Sequence, residues 1–538
     1  MYDIVIKNGE ILDGSGTKSY FADIGIKNGY ISEISQCIND PALKVIDAKN
    51  HIVCPGFIDI DSHSDFSLYA NPKAESKIRQ GITTEIVGQG GRSLGPVNIE
   101  HLSDLKQYTK SYVQNTNEPN YWNWKTQYEF IDILSSRKTS VNIASLVGYG
   151  TIRVAVMGFE KRRPTNDEMN RMKQLLEDEL INGIHGMSLG LDNSPDSLAS
   201  IDELIEMAKV VKKYDGICSI HMREEGNYLF NSILEAIEIS KKSGVKLQIS
   251  HLKAAHPQNW GKVKEAISII NKAKNSGLNV DYDVYPYISY ESVLTDVLPP
   301  WIRELSPEKI VESLKKDNIR EKVVADMLDR NSNWGNPMLG SSWDRIRIVS
   351  MKKESNKKFE GMNIEQISEY LNLPPHDVVI DLLIDEGGVI KIIFSAMTES
   401  DLIEVMKQSM AIYSTDGLAV SPYGDYKDVA VHPRYYGTFP RILGRYVRQK
   451  KIVDIEEAIY KMTLLPAIKM NLKDRGYLAV GYKADITIFN KDTIIDESTY
   501  TKPHQYPVGI KDVIVNGVVV VENGEHTGEL PGVHIKRK

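Results

Sequence analysis

Polar side chains able to do chemistry recur at the ends of apolar runs along this chain: Asp61 and His63 in PGFIDIDSHSDFS, His221 in SIHMRE, His251 with Lys253 in ISHLK, Tyr285 and Tyr287 in DVYPY, and Asp416 in STDG. One histidine in such a place is more often a hydrogen-bonded structural residue than a ligand, but several runs ending this way argue for a shared site. Imidazoles and carboxylates from different runs can converge on one divalent ion and leave a position for water, whose pKa a Lewis acid lowers toward about 7. Asp416 can then take the water's proton and deliver it to a leaving amine. The chemistry read from these residues is metal-assisted hydrolysis of an amide or related bond, with Asp61, His63, His221, His251 and Asp416 as candidate ligands.

For these side chains to meet, the runs that carry them must lie side by side and point the same way. Strand-like runs such as TTEIVGQ, VNIASLVG, HGMSLGL, ICSIHM, LQISHLK, NVDYDVYPY, KIIFSAM and MAIYSTDG alternate with helical segments through the middle of the chain. The helix candidates TNDEMNRMKQLLEDELING and SIDELIEMAKVVKKYDG each open with a capping residue and close with glycine. About eight βα units imply a parallel barrel of TIM type, with its chemistry at the strand ends. An open doubly wound sheet fits less well, because no glycine-rich phosphate fingerprint follows the first strand.

Both termini read differently, as short β-like runs separated by turn signals. The expected organisation is an α/β fold: a β-sandwich from residues 1–54 with 478–538, and a TIM-like (β/α)8 barrel over 55–477. A helix-rich, charged segment over 292–342 reads as a helical insertion within the barrel.

The 538 residues include 65 Lys and Arg against 72 Asp and Glu, a formal charge of -7, which argues against a nucleic-acid partner. The three cysteines, Cys37, Cys54 and Cys218, match neither a disulfide framework nor a metal knuckle, as expected for a reducing cytoplasm. No apolar run reaches the ~18 residues of a membrane span. The N-terminus reads as a strand and not as an export signal. The expected partner is a small carboxylated amide, with no nucleic acid and no membrane.

The blocks NPKAESKIRQGITTEIVGQ, NIASLVGYGTIRVAVMG, HMREEG, QISHLK, DVYPY, STDGLA, HPRYYGTFPRILGRYVR, GYKADITIFN and PHQYPVGIKDVIVNGVVVVENGEHTGELPG run colinearly over nearly the whole chain. In these blocks the sequence resembles the N-acyl-D-amino acid deacylase (D-aminoacylase) family of the amidohydrolase superfamily. The resemblance implies a barrel, a terminal β-sandwich and an inserted subdomain. It also implies hydrolysis of N-acyl amino acids by metal-activated water, with His221 and His251 on a tightly bound zinc and Asp416 as the catalytic proton shuttle. Arg434 in HPR, Lys253 and the hydroxyl of Tyr285 or Tyr287 would hold the substrate's α-carboxylate. A guanidinium fork suits that task because it meets a carboxylate through two parallel charged hydrogen bonds.

The chain departs from the family pattern at four places. Asp61 replaces the first histidine of His-x-His, Gly90 replaces the metal-binding cysteine, and Tyr149 replaces a histidine. Asp192 stands where an aromatic residue is usual, and a carboxylate there would favour a cationic or amine-bearing substrate. Two accounts follow. In one, the divalent metal is kept in a sulfur-free oxygen-and-nitrogen site, where a harder donor set admits manganese or iron beside zinc. In the other, metal is weak or absent, and the scaffold forms amides, cyclises, eliminates or only binds. His185, His256, His376 and His432 are read as capping or packing residues left out of the site, with a place near it open to His256.

Overall fold

The computed structural model describes residues 1–110, 122–303, 305–331, 334–428 and 431–538. Its centre is a ring of parallel strands: β1 (Phe57–Asp59), β2 (Ile82–Val87), β3 (Asn142–Ser145, continued by Val147–Gly148), β4 (Gly186–Gly190), β5 (Ile217–His221), β6 (Lys246–Ile249), β7 (Val280–Val284) and β8 (Ala411–Tyr413). Each pairs in parallel with the next. A parallel bridge between Ser62 and Gly417 closes the ring from β8 back to β1. The strands are short and apolar, and all but a few of their residues are buried, as expected where helices cover the outside and side chains fill the inside.

The covering helices follow from local signals. Thr165 and Glu168 form a reciprocal capping box at the start of Asn166–Asn182, and Gly183 ends that helix in the left-handed region at φ 111°. Ser200 caps Ile201–Lys213. There the chain turns at Asp215, φ 52°, and not at the expected glycine, Gly216.

Strands from both ends of the chain join one nine-stranded sheet, in which Ile52–Pro55 pairs with Ile486–Phe489. The sheet carries its own apolar core, including Ile6, Ile24, Ile26, Ile486 and Ile514. Its hydrogen bonding is continuous from strand to strand. The last residues leave it: the Ile143 amide donates to the Val533 carbonyl and the Ile143 carbonyl accepts from the Ile535 amide, a parallel bridge about His534 that ties the tail to β3.

The insertion is larger than its helical stretch suggests. Between β7 and β8 lies an antiparallel sheet of Tyr290–Val293, Ile346–Ser350 and Lys391–Phe394. It packs with helices around a separate core that includes Leu294, Ile310, Ile348, Leu383 and Phe394. KIIF therefore belongs to this sheet and not to the barrel. A short apolar run bounded by turns does not reveal from sequence whether its neighbours are parallel or antiparallel. Within the expected 292–342 span, positions 304, 332 and 333 lie outside the described residues.

Candidate active site

The ends of β1, β5, β6, β7 and β8 bring the acidic and imidazole residues together in two groups. In the first, Asp61, His63 and Asp416 each offer a donor atom within 4.8 Å of the others. His63 Nε2 lies 3.2 Å from Asp416 Oδ1. Arg434, at the start of the helix Arg434–Arg441, places Nη2 3.1 Å from Asp416 Oδ2 and donates from Nε to the Asp416 carbonyl at 2.7 Å. Burial pushes the Asp416 carboxyl up, but Arg434, His63 and His251 overcome it and hold the group well below the usual carboxylate range. Asp61 moves the other way, pushed up by burial and then by Asp283, Asp416 and Asp59. Burial lowers the pKa of His63, which keeps it in the neutral form that ligates metals.

The second group is His221, Glu225 and His251, again with donor atoms within 4.8 Å. The two imidazole rings meet edge to face, with centres 4.5 Å apart. Lys253 Nζ lies 2.7 Å from both Glu225 oxygens and 2.7 Å from His251 Nδ1. An ammonium only donates, so the imidazole nitrogen and the carboxylate both accept from it. Burial raises the Glu225 pKa, but the neighbouring Lys253 ammonium opposes it, and the net effect leaves the carboxylate ionised.

Two positions in the site adopt backbone angles that side chains disfavour: His251 at φ 34° and Asp416 at φ 45°. Such strain costs about 1–3 kcal/mol and persists where the surroundings over-determine it. Here the Asp283 carboxylate accepts from the His251 amide at 3.0 Å, and the Asp61 carbonyl accepts from the Asp416 amide at 2.9 Å.

Beside these groups, Arg434 Nη1 and the Tyr285 hydroxyl are buried without a hydrogen-bond partner among the described residues. The guanidinium lies 4.8 Å from the centre of the Tyr285 ring, and Lys253 Nζ 5.7 Å from it. Buried donors left open in this way suit a carboxylated ligand.

The Tyr287 hydroxyl, unlike that of Tyr285, has a backbone partner. It donates to the Pro433 carbonyl at 3.4 Å, and Arg441 packs over the Tyr287 ring at 4.6 Å, so the residue braces the segment carrying Arg434. Asp192 does face the site, with Oδ2 3.5 Å from His221 Nε2. His432 accepts from the Arg434 amide at 3.0 Å, a packing role as expected.

The altered positions separate. Gly90 turns at φ 62°, and a Cβ built there would sit 3.6 Å from His63 Cε1, so this position borders the first group but supplies it no donor. The Tyr149 hydroxyl donates to Glu203, which also lies 3.6 Å from Arg153, in a buried network of its own. Cys37 is exposed, while Cys54 and Cys218 are buried and join neither group. Among the described residues the donors are therefore nitrogen and oxygen only. Three imidazoles and three carboxylates, more acidic groups than Arg434 and Lys253 balance, fit a divalent cation.

Sequence reasoning missed Glu225 and Asp283. Glu225 stands four residues after His221 in HMREEG, and that spacing was its one signal. Asp283 lies inside the strand Val280–Val284 and reads as an ordinary strand residue.

An amidohydrolase family model matches residues 415–521. The chain is 29% identical to the N-acyl-D-glutamate deacylase of Alcaligenes xylosoxydans xylosoxydans, over 96% of this chain and 93% of that one. It is 28% identical to the D-aminoacylase of the same organism, over 99% of this chain and 97% of that one. The crystal structure of N-acyl-D-glutamate deacylase from Bordetella bronchiseptica, with zinc and a phosphonate mimic of the tetrahedral intermediate, matches with a TM-score of 0.80 and 27% identity, covering 99% of each chain. Full-length similarity of sequence and of fold, with strand-end donors in one site, places this chain in the D-aminoacylase family of amidohydrolases.

Proposed function

We propose that this protein hydrolyses the amide bond of N-acyl-D-amino acids, using a divalent metal held by the strand-end histidines and carboxylates. The observation that carries this reading is the pair of unpartnered buried donors, Arg434 Nη1 and Tyr285 Oη, beside the two donor groups. His221 and His251, with Asp61, His63 or Asp416, would hold the ion. Zinc is our first choice, because the Bordetella relative was crystallised with it, and manganese or iron also suit a sulfur-free set. A bound ion would supply Lewis acidity, polarising the scissile carbonyl and making water more acidic.

The remaining steps fall to the chain. Arg434, Tyr285 and Lys253 grip the substrate's α-carboxylate, which fixes the acyl carbonyl beside the donors. Arg434 serves two partners at once: Nη2 and Nε hold Asp416, while Nη1 stays open for the ligand. Asp416 takes the proton of the attacking water and returns it to the amide nitrogen as the carbon–nitrogen bond breaks, giving a carboxylic acid and a free amine. His63 holds the carboxylate of Asp416 in place. Asp192, at the edge of the site, gives an advantage to substrates carrying an amine. The deacylases among the relatives support hydrolysis over the non-hydrolytic alternative.

The test is a panel of N-acetyl-D-amino acids, their L isomers and the corresponding D-amino acid amides, assayed with zinc-, manganese- and iron-loaded protein. Turnover confined to D free acids is expected. No turnover of any D free acid would overturn the reading, and equal turnover of amidated substrates would remove Arg434 and Tyr285 from carboxylate recognition.

A further inference from the structure

Beneath the first donor group lies a lysine that the chemistry above does not use. Lys77, in the short helix Glu75–Ile78, is fully buried, as are Asp59 and Glu85 beside it. Its ammonium donates to Asp59 Oδ2 at 2.8 Å, Thr415 Oγ1 at 2.7 Å, the Gly417 carbonyl at 2.9 Å and Ser62 Oγ at 3.3 Å. It also lies 3.1 Å from Glu85 Oε1. Glu85 in turn accepts from the hydroxyls of Ser62 and Ser64, each at 2.6 Å. Asp59 accepts from the Thr415 amide at 2.9 Å and its hydroxyl at 2.5 Å.

The positions of these partners carry the argument. Ser62 stands between Asp61 and His63, while Thr415 and Gly417 flank Asp416, so the ammonium grips the neighbours of every donor in the group. The same residues form the seam where the barrel closes, through the Ser62–Gly417 bridge and the His63 amide to Gly417 carbonyl bond at 3.1 Å. Burying a lysine is costly unless it is paired and hydrogen-bonded, and a staple of no consequence for the site would not need a charge here. We infer that Lys77 is a positioning residue for Asp61, His63 and Asp416, setting their separation across the seam between the first and last barrel strands. The inference rests on the metal-dependent reading above.

The experiment compares the full chain with Lys77→Met and with Thr415→Val, which removes one link of the network but keeps its charges. The readouts are Co²⁺ affinity, the visible spectrum of the Co²⁺-loaded protein, and amide hydrogen exchange at residues 61–63 and 415–417. Lys77→Met should lose about 10–100-fold in Co²⁺ affinity, the range found for residues that orient ligands. Its cobalt bands should move, and exchange at the two segments should quicken more than in β4 to β6. Thr415→Val should change the same readouts in the same direction by a smaller amount, and it decides the matter alone if Lys77→Met does not fold. Wild-type affinity, bands and exchange in the folded variants would overturn the role of Lys77. If the parent protein binds no cobalt, the metal reading fails, and faster exchange confined to the two segments still supports Lys77 while unchanged exchange sinks it.

Discussion

The two donor groups differ in how their charge is balanced. In the His221–Glu225–His251 group a cation already stands at the centre, since Lys253 Nζ touches both Glu225 oxygens and His251 Nδ1 at 2.7 Å. In the Asp61–His63–Asp416 group the cation stands to one side, where Arg434 engages Asp416 and leaves Asp61 among carboxylates. Lys253 thus balances the Glu225 carboxylate within its own group, whereas Asp61 has only like-charged neighbours close by apart from Arg434. The need for a cation is therefore greater at the end of β1, where Asp61 stands and Gly90 offers no donor.

The largest expected effect of breaking this arrangement comes from Asp416. Asp416→Asn should lower kcat by about 10²–10⁴-fold, the range of general acid–base assistance, while substrate binding measured calorimetrically is retained. A fully active variant would remove Asp416 from proton transfer. Arg434→Ala should come next, weakening calorimetric binding of free-acid ligands by about 10–100-fold through loss of charged hydrogen bonds, with binding of amidated analogues changed little. Equal losses for both would show that Arg434 acts only by supporting Asp416.

A smaller effect separates the groups by pH. Because the folded-state pKa of Asp61 is raised, the unfolded chain gives up this proton more readily. Metal-free stability therefore falls as pH rises from the ordinary carboxylate range toward the raised value. Asp61→Asn should flatten that fall in urea unfolding of the metal-free protein, and added metal, which favours the ionised carboxylate, should stabilise the parent more at pH 8 than at pH 5. An unchanged slope in Asp61→Asn would assign the fall to another group. Asp416 has the opposite sign: its depressed pKa adds stability above the ordinary carboxylate range that is lost only in strong acid.

The smallest effect concerns Asp192. Asp192→Asn should reduce the preference for N-acetyl-D-lysine over N-acetyl-D-norleucine by a few-fold, as expected for a half-exposed charge. No change would mean that its carboxylate faces solvent during turnover.

What the sequence made legible was whatever recurs locally. His221, His251 and Asp416 stand at the ends of buried apolar runs, so their type and place together announced a site, and Thr165 and Ser200 announced helix starts. Glu225 was harder to see, because its role depends on Lys253 reaching back from another strand. Lys77 was invisible, since a lysine in KAESKIRQ reads as a solvated charge and only the closed barrel buries it. Lys391–Phe394 was misplaced in the barrel for a related reason: its apolar pattern is that of any buried strand, and only its antiparallel partners assign it. Tyr285 and Tyr287 were indistinguishable by sequence, and the Pro433 carbonyl tells them apart.

The central claim is that a sulfur-free set of donors still holds a working metal. Metal analysis of protein purified without added metal, paired with activity before and after chelation, tests it most directly. The account predicts near-stoichiometric zinc, manganese or iron, with activity toward an N-acyl-D-amino acid lost on chelation and restored by adding the ion back. A metal-free protein that turns over the same substrate at an undiminished rate would contradict it.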